Sequence, residues 1–184
     1  MILAAGRGER LRPVTDKVPK ALIEVNGESL LERHLKLLAE AGVNTVVMNL
    51  GWLGEQIVEA IGCGAQFGLQ VVYSPEYDEV LEPGGGIQRA LPLLDTEPFW
   101  VINADIYTEF RLPKLKLAEN KLGYLILVPT PENRKNGDFD LVDELICNAT
   151  NPVLIFSGIA FYRPELFTGQ KSGCFPLAPL LRAA

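Results

Sequence analysis

Short apolar runs alternate along the chain with segments of helical periodicity. Runs rich in β-branched and aromatic residues predict six strands. These strands cover residues 2–5, 45–48, 69–73, 99–103, 124–128 and 154–162. Strands that alternate with helices are typical of βαβ units around a mostly parallel sheet, so the predicted fold class is α/β.

The clearest helical pattern lies between the first two predicted strands. Ser29 and Glu32 have the spacing of a capping box, and Gly42 stands where a C-cap belongs. The apolar face of this helix would consist of Leu31, Leu35 and Leu38. His34 lies within the same pattern, and we expect it to be a packing or surface residue far from any site.

Two further helices and one irregular region follow. Helical patterns run through residues 55–61, ending at Gly62, and through residues 87–90. The polar stretch 132–144 is predicted to be an irregular excursion from the sheet, with a turn at Asn136-Gly137.

Composition limits the classes of ligand. The 184 residues suit one domain or part of a larger one, and 48% hydrophobic with 22% charged residues indicates a globular protein. The formal charge of -6 argues against general affinity for nucleic acid or anionic membrane. A phosphate-bearing ligand would therefore need a local cluster of basic residues.

Location is predicted from cysteine use and hydropathy. The longest apolar runs are too short to span a bilayer, and the apolar start lacks the basic residues of a signal peptide. Three cysteines without metal-ligand spacing suit a reducing compartment, and we expect buried thiols in a cytoplasmic protein. They are Cys63, Cys147 and Cys174.

Ligands of open α/β sheets bind at the carboxyl ends of the strands, which directs attention to three loops. The loop after the first strand, residues 6–13, contains Gly6 and Gly8, whose backbone amides can approach an oxyanion closely. Arg10, and Lys20 further on, can supply charge to a polyphosphate. Taken alone, such glycines are also common in turns, and such charges in solvated faces.

The other two loops offer a glycine run and a carboxylate. Residues 82–86 end in three glycines and imply close backbone approach, to a flat base or merely in a flexible loop, before a helix. Asp105 follows the strand 99–103 and could hold Mg²⁺ together with substrate phosphates, or simply cap a helix. Convergence of all three loops on one sheet edge favours a nucleotide-phosphate and metal site.

Two common nucleotide motifs do not fit. The third glycine of a dinucleotide-binding fingerprint would fall at Leu11, and Pro13 would interrupt its helix. The Gly-Lys-Ser/Thr of a kinase-type P-loop does not follow a glycine loop here. Hydride transfer and kinase chemistry are therefore not favoured.

A longer motif resembles a known family. The segment 3–13, Leu-Ala-Ala-Gly-Arg-Gly-Glu-Arg-Leu-Arg-Pro, followed by Pro-Lys-Ala-Leu at 19–22, resembles the signature of the sugar-1-phosphate nucleotidylyltransferases. Segments 82–87, 103–105 and 156–159 resemble the base loop, metal motif and sugar-side strand of that family. The resemblance implies a three-layer, doubly wound Rossmann-type fold of the GT-A-like kind, with a mixed, mostly parallel sheet.

Within the family, segments 81–87, 136–139, 156–159 and 177–182 are most similar to the N-acetylmuramate 1-phosphate uridylyltransferases of cell-wall recycling. The implied reaction is attack of a sugar 1-phosphate on the α-phosphorus of an NTP, such as UTP, with release of pyrophosphate. Arg10, Lys20 and Asp105 would be the catalytic residues, and Asp105 would bind Mg²⁺.

The resemblance also implies the remaining contacts. The nucleotide would contact Ala4, Ala5, Gly6, Gly8, Glu9, Arg10, Lys20, Gly84 and Gly85. The sugar phosphate would contact Asn103, Gly137, Asp138 and Gly158.

Some positions depart from the family pattern. Ala104 replaces a common glycine before the metal aspartate, and Pro83 removes one backbone donor. The family takes a second metal carboxylate from a later strand, whereas the only acid after Glu144 here is Glu165, at a predicted turn or helix start. We therefore expect residues 1–184 to be a single domain truncated at its C-terminus.

Two alternatives stay open from the sequence. One is a catalytically silent nucleotide-binding or regulatory module that has lost a metal ligand. The other is a nucleotidyltransferase for another sugar phosphate or for choline phosphate. The oligomeric state has no signature in the sequence.

Overall fold

The computed structural model describes residues 1–77, 79 and 81–184. Its strands are β1 (Ile2–Leu3), β2 (Glu24–Val25), β3 (Glu28–Ser29), β4 (Thr45–Leu50), β5 (Gln70–Pro75), β6 (Phe99–Asn103), β7 (Gly123–Pro129), β8 (Asp140–Val142), β9 (Leu145–Cys147) and β10 (Leu154–Tyr162). Its α-helices are α1 (Leu30–Glu40), α2 (Gly54–Ile61), α3 (Glu82–Ala90) and α4 (Leu177–Ala183).

The central sheet has six strands in the order β5-β4-β1-β6-β10-β7. Neighbours from β5 to β6 run parallel, whereas β10 is antiparallel to both β6 and β7. The predicted α/β fold with a mixed, mostly parallel sheet is confirmed. Because β4 and β6 flank β1 on opposite sides, the chain reverses its direction across the sheet there, which is where such folds bind ligands.

Two apolar clusters cover the two faces of this sheet. One joins α1 and α2 to alternate strand residues such as Met48 and Ile102. The other joins α3 and α4 to the intervening residues, such as Val47 and Val101. Successive strand side chains point to opposite faces, so this alternation produces three layers.

The predicted capping box of α1 is present. The Ser29 hydroxyl accepts from the Glu32 backbone N–H at 3.1 Å, and the Glu32 carboxylate accepts from the Ser29 N–H at 3.0 Å. Gly42 follows the helix with φ 80°, a left-handed conformation that favours glycine. The predicted apolar face, Leu31, Leu35 and Leu38, is buried.

The third helix begins earlier than predicted. The glycines 84–86 belong to the first turns of α3 and are buried, whereas the sequence predicts a loop there and a helix only from residue 87. Segment 173–175 packs against this helix so closely that a Cβ on Gly85 would lie 2.1 Å from the Gly173 carbonyl oxygen. Because these glycines have no side chains, segment 173–175 can contact the backbone of the helix directly.

The turn predicted at Asn136-Gly137 is wrong. The hairpin turn joining β8 and β9 lies instead at Asp143 and Glu144, which have φ 50° and 62°. Gly137 lies beside β10, where a Cβ would come within 2.4 Å of the Leu154 carbonyl oxygen. Part of the stretch predicted as irregular, Asp140–Val142, is strand β8.

The cysteines are free, as predicted, but the expected burial is wrong. Cys63 and Cys174 are exposed and Cys147 is half-buried. Cys63 lies two residues after the end of α2, and Cys174 lies in an irregular segment, so neither belongs to a regular element that would bury it.

None of the helices in the described part of the chain combines the length and the hydropathy that a membrane span requires.

Loss of the α1 cap should cost measurable stability. In Ser29→Ala the Glu32 N–H loses its acceptor, and we expect the free energy of unfolding to fall by about 1 kcal/mol in urea titrations. Ser172→Ala, at an exposed position, is the matched control and should change it by less than about 0.5 kcal/mol. Equal stability of the two variants would contradict the role of the cap.

Candidate active site

A cavity of about 950 Å³ lies at the carboxyl edge of the four parallel strands. Loops following β1, β4, β5 and β6 all contribute to its wall. It is lined by residues 3–10, Lys20, Ala21, Asn49, residues 51–53, Glu76, Tyr77, Glu79, Glu82, Pro83 and residues 103–105. The cavity is therefore at the predicted sheet edge, beside the point where the strand order reverses.

The loop after β1 takes a left-handed conformation at Gly8, which favours glycine. Gly8 has φ 67°, and its carbonyl oxygen accepts from the Thr15 hydroxyl at 2.9 Å. A Cβ here would come within 2.9 Å of Thr15 and 3.2 Å of the Lys20 side chain. Gly8 thus lets the Lys20 stem lie directly against the loop.

Lys20 and Asp105 meet in this cavity. The Lys20 ammonium donates to an Asp105 carboxylate oxygen at 2.5 Å, although 85 residues separate them in the chain. The two side chains are 22% and 39% exposed, so a ligand can reach both. This contact brings the basic loop after β1 next to the carboxylate at the end of β6. The prediction of a phosphate and metal site depends on that proximity.

Arg7 and Trp52 form a second contact across the cavity wall. The Arg7 guanidinium lies over the Trp52 ring, 4.3 Å from its centroid. The indole N–H donates to the Thr15 carbonyl oxygen at 2.9 Å, and Gly51 allows close approach to the backbone of Ala5. Arg7 lies within the signature segment 3–13 without a predicted contact, and Trp52 lies outside the motifs, although it follows a predicted strand.

A buried hydrogen-bond chain joins the ends of three strands. The Asn49 side-chain oxygen accepts from the Ala4 N–H at 2.7 Å, and its amide group donates to Glu76 at 2.8 Å. Asn49 is 3% and Glu76 5% exposed. Burial raises the pKa of the Glu76 carboxyl, against the opposing effects of the Asn49 and Leu81 hydrogen bonds and the Arg89 charge.

Sequence patterns missed this chain of side chains. Asn49 lies within β4 and Glu76 directly follows β5, so the strand-end rule marks the region. Their pairing depends on the sheet register, which local pattern does not show.

Charges of both signs line the cavity. The described lining residues include three basic side chains, Arg7, Arg10 and Lys20. They also include five acidic ones, Glu9, Glu76, Glu79, Glu82 and Asp105. The basic groups belong to the β1 end of the edge and Glu76, Glu79 and Glu82 to the β5–α3 end, so a polyphosphate would suit the β1 end.

Most of the predicted nucleotide residues are brought together. Those lining the cavity are Ala4, Ala5, Gly6, Gly8, Glu9, Arg10 and Lys20. Gly84 and Gly85 are not among the lining residues; Glu82 and Pro83 of the same turn are. A Cβ on Gly84 would lie 2.5 Å from the Phe175 ring, and the Gly85 N–H donates to the Phe175 carbonyl oxygen at 3.2 Å.

The predicted sugar-phosphate residues are divided. Asn103 lines the cavity, and Gly158 lies beside it, since a Cβ there would come within 2.8 Å of the Asn103 amide. Gly137 and Asp138 lie outside the cavity wall, against β10. The Asp138 carboxylate already accepts from Arg134 at 2.7 Å and from the Phe156 N–H at 3.1 Å.

The donor set for a metal is sparse. Among the described residues, no three or more His, Cys, Asp or Glu side chains group closely enough to hold a metal ion. A Mg²⁺ ion at this edge would have Asp105 as its protein carboxylate, and phosphate and water would have to supply its other ligands. Glu165, in a 3₁₀ turn, does not line the cavity.

His34 is a packing residue, as expected, but it is not far from the site. Its side chain is fully buried next to the backbone of Ile106, the residue after Asp105. Burial lowers the pKa of His34 to about 4, more than the Ile106 backbone and the Asp105 charge raise it. The imidazole is therefore neutral at neutral pH.

The sheet order and the cavity at its switch point are typical of a doubly wound α/β domain that binds its ligand at this edge. The chain belongs to the family described as the MobA-like NTP transferase domain, whose sequence model matches residues 1–171. The predicted resemblance to nucleotidyltransferases is confirmed.

Named relatives agree with this assignment, and a solved structure shares the fold. N-acetylmuramate alpha-1-phosphate uridylyltransferase of Neisseria meningitidis is 44% identical over 99% of this chain and 83% of its own length. The protein of that name from Caulobacter vibrioides is 34% identical over 98% and 81%. The crystal structure of HddC from Yersinia pseudotuberculosis with GMP-PN has the same fold, with TM-score 0.79 and 22% identity over 96% of this chain and 81% of that one.

The buried Glu76 predicts a pH-dependent stability difference. Its pKa is higher in the folded than in the unfolded chain, so the wild type loses stability as pH rises from about 4.5 through that raised pKa. Glu76→Gln keeps an acceptor for Asn49 without this loss. We expect Glu76→Gln to gain stability relative to wild type over that window, measured by urea unfolding from about pH 4 to 8.

The exposed Glu59→Gln is the matched control. A Glu76→Gln difference that does not grow with pH, or that matches the control, would contradict a burial penalty on the Glu76 carboxylate.

Proposed function

We propose that this chain transfers a uridylyl group from UTP to a sugar 1-phosphate, with N-acetylmuramate 1-phosphate as the acceptor, and releases pyrophosphate. The observation that carries the proposal is the contact of Lys20 with Asp105 in a cavity at the switch point of the sheet. The names of two relatives that align with nearly the whole chain support the substrates. We also propose a cytoplasmic location, in agreement with the free cysteines.

In the proposed complex the triphosphate lies along the loop after β1. Gly8, Glu9 and Arg10 border it, and the Lys20 ammonium binds its oxygens. The backbone of residues 4–6 borders the nucleoside. Gly84 and Gly85 are proposed base contacts through the first turn of α3, whose Glu82 and Pro83 line the cavity.

Asp105 would hold Mg²⁺, a role that its partly exposed carboxylate at the end of β6 supports. When bound, the ion would neutralise charge on the substrate phosphates. With three basic and five acidic side chains on the described wall, the cavity supplies no positive excess of its own. A cation that accompanies the triphosphate is therefore part of the proposal.

The reaction needs positioning more than a protein nucleophile. A phosphate oxygen of the sugar 1-phosphate attacks the α-phosphorus of UTP, and the bond to the pyrophosphate oxygen breaks. Arg10 and Lys20 would stabilise the charge that develops on the phosphates. Asn103 and Gly158, with Gly137 and Asp138, are the proposed sugar-phosphate contacts, and the closeness of Gly158 to Asn103 supports that pair most directly.

A pyrophosphate-release screen tests the proposal. The four NTPs are crossed with several sugar 1-phosphates and choline phosphate, with and without Mg²⁺. We expect release with UTP and N-acetylmuramate 1-phosphate in the presence of Mg²⁺. Release confined to another pair would reassign the substrates, and nucleotide binding without release in any pair would indicate a silent module.

Removing either member of the central pair should abolish most turnover. Asp105→Asn loses the metal carboxylate and Lys20→Ala loses the phosphate contact, so we expect kcat to fall about 100-fold or more in each. Pyrophosphate release measures the effect, and circular dichroism checks the fold.

Matched controls separate this from general charge loss. Asp95→Asn changes an exposed carboxylate before β6, at the opposite edge of the sheet. Lys17→Ala removes an exposed ammonium three residues before Lys20. Both should keep near-normal activity; an active Asp105→Asn protein would overturn the assignment of Asp105.

A further inference from the structure

A long irregular segment begins directly after Asp105. Residues 106–118 form no helix or strand; Ile106 and Leu115 pack partly buried against the core, and Leu112 and Leu117 are buried. Irregular stretches of this length are uncommon in compact domains unless they serve a site. Residues 107–111 include no buried side chain, so the path of the chain after Asp105 and Ile106 depends on other contacts.

Arg33 on α1 contacts three successive residues there. Its Nε–H donates to the Thr108 carbonyl oxygen at 2.9 Å, and its guanidinium lies 4.5 Å from the centroid of the Tyr107 ring. A terminal nitrogen lies 3.6 Å from the Glu109 carboxylate. Another lies 3.5 Å from Glu28, in the strand before the helix. One side chain thus ties 107–109 to α1.

The helix gives Arg33 a fixed base. The capping box fixes the start of α1, and Leu31 and Leu35 are fully buried on either side of Arg33. The next residue, His34, is also fully buried and packs beside Ile106. Arg33 itself is 29% exposed, so its contacts are made at the surface.

Asp105 is therefore held from both directions along the chain. On one side the Ala104 N–H donates to the Leu3 carbonyl oxygen at 3.0 Å, which ties it to β1. On the other side Arg33 holds Thr108, three residues after Asp105. We infer that Arg33 is a positioning residue, which fixes the segment after Asp105 and thereby holds the Asp105 carboxylate in place for Lys20 and the metal; the inference rests on the proposed function.

The chemistry suits arginine and not lysine. A guanidinium is planar, so it can stack on a ring while it donates in its own plane to a carbonyl and to carboxylates. An ammonium keeps the charge but has neither the stacking plane nor the Nε donor. Arg33→Lys is therefore expected to recover little of the wild-type behaviour.

Lys36 provides a matched control on the same helix. It pairs with Glu28 at 2.6 Å, whereas Arg33 lies 3.5 Å from Glu28, and among the described residues 106–109 Lys36 has no hydrogen-bond or ion-pair partner. Loss of either side chain removes a surface cation that pairs with Glu28. Only the loss of Arg33 also releases the segment after Asp105.

The first test is the Mg²⁺ dependence of pyrophosphate release in wild type, Arg33→Ala, Arg33→Lys and Lys36→Ala. A displaced carboxylate should raise the Mg²⁺ concentration for half-maximal rate severalfold and lower kcat roughly tenfold in Arg33→Ala, with a smaller effect on KM for UTP. Lys36→Ala should match wild type. Thermal unfolding of each variant checks that the fold is intact.

The second test is amide hydrogen exchange in residues 105–110 of the unliganded chain, which needs no turnover. Arg33→Ala should exchange faster than wild type there, whereas Lys36→Ala should not. Unchanged exchange, unchanged Mg²⁺ dependence, or full recovery in Arg33→Lys would each overturn the inference. If the wild type releases no pyrophosphate with any substrate pair, the proposed function fails, and exchange still decides whether Arg33 orders this segment.

Discussion

The parallel pairing of β1 with both β4 and β6 is the constraint on which the site depends. In the register of these strands, Leu3 lies between Asn49 on one side and Asn103 on the other. Ile2, one residue earlier and level with Met48 and Ile102, is fully buried, so a slip in register would expose apolar surface. Because parallel strands end at one edge, the loop after Leu3 begins between Asn49 and Asn103.

Polar groups along that edge divide by burial into two kinds. The chain from Ala4 through Asn49 to Glu76 is buried, so its hydrogen bonds fix strand ends and are costly to break. The pair of Lys20 and Asp105 is partly exposed, so its partners can be exchanged for phosphate or a cation at much lower cost. Rigid support thus lies beneath groups that remain available to ligands.

Helix α1 packs on one face of the sheet and contacts the segment that follows Asp105. Its apolar face packs on the sheet, while Arg33 and His34 meet the segment that follows Asp105. Helix α3 has a comparable relation to segment 173–175, which packs on its glycines. In both cases a regular element with a buried face holds a segment that has no regular structure of its own.

Local chemistry in the sequence was enough to predict the start of α1 at Ser29 and the strands that bring Lys20 and Asp105 to one edge. A cap depends on neighbouring residues, and strand ends follow from the parallel topology. Only the tertiary structure decided that Gly85 is helical, that Glu76 is buried in the cavity wall, and that Arg33 reaches Thr108. These features depend on contacts between residues that are distant in the chain. Hydrophobic periodicity indicates which face of an element a residue occupies, but it does not indicate which distant residue packs against that face.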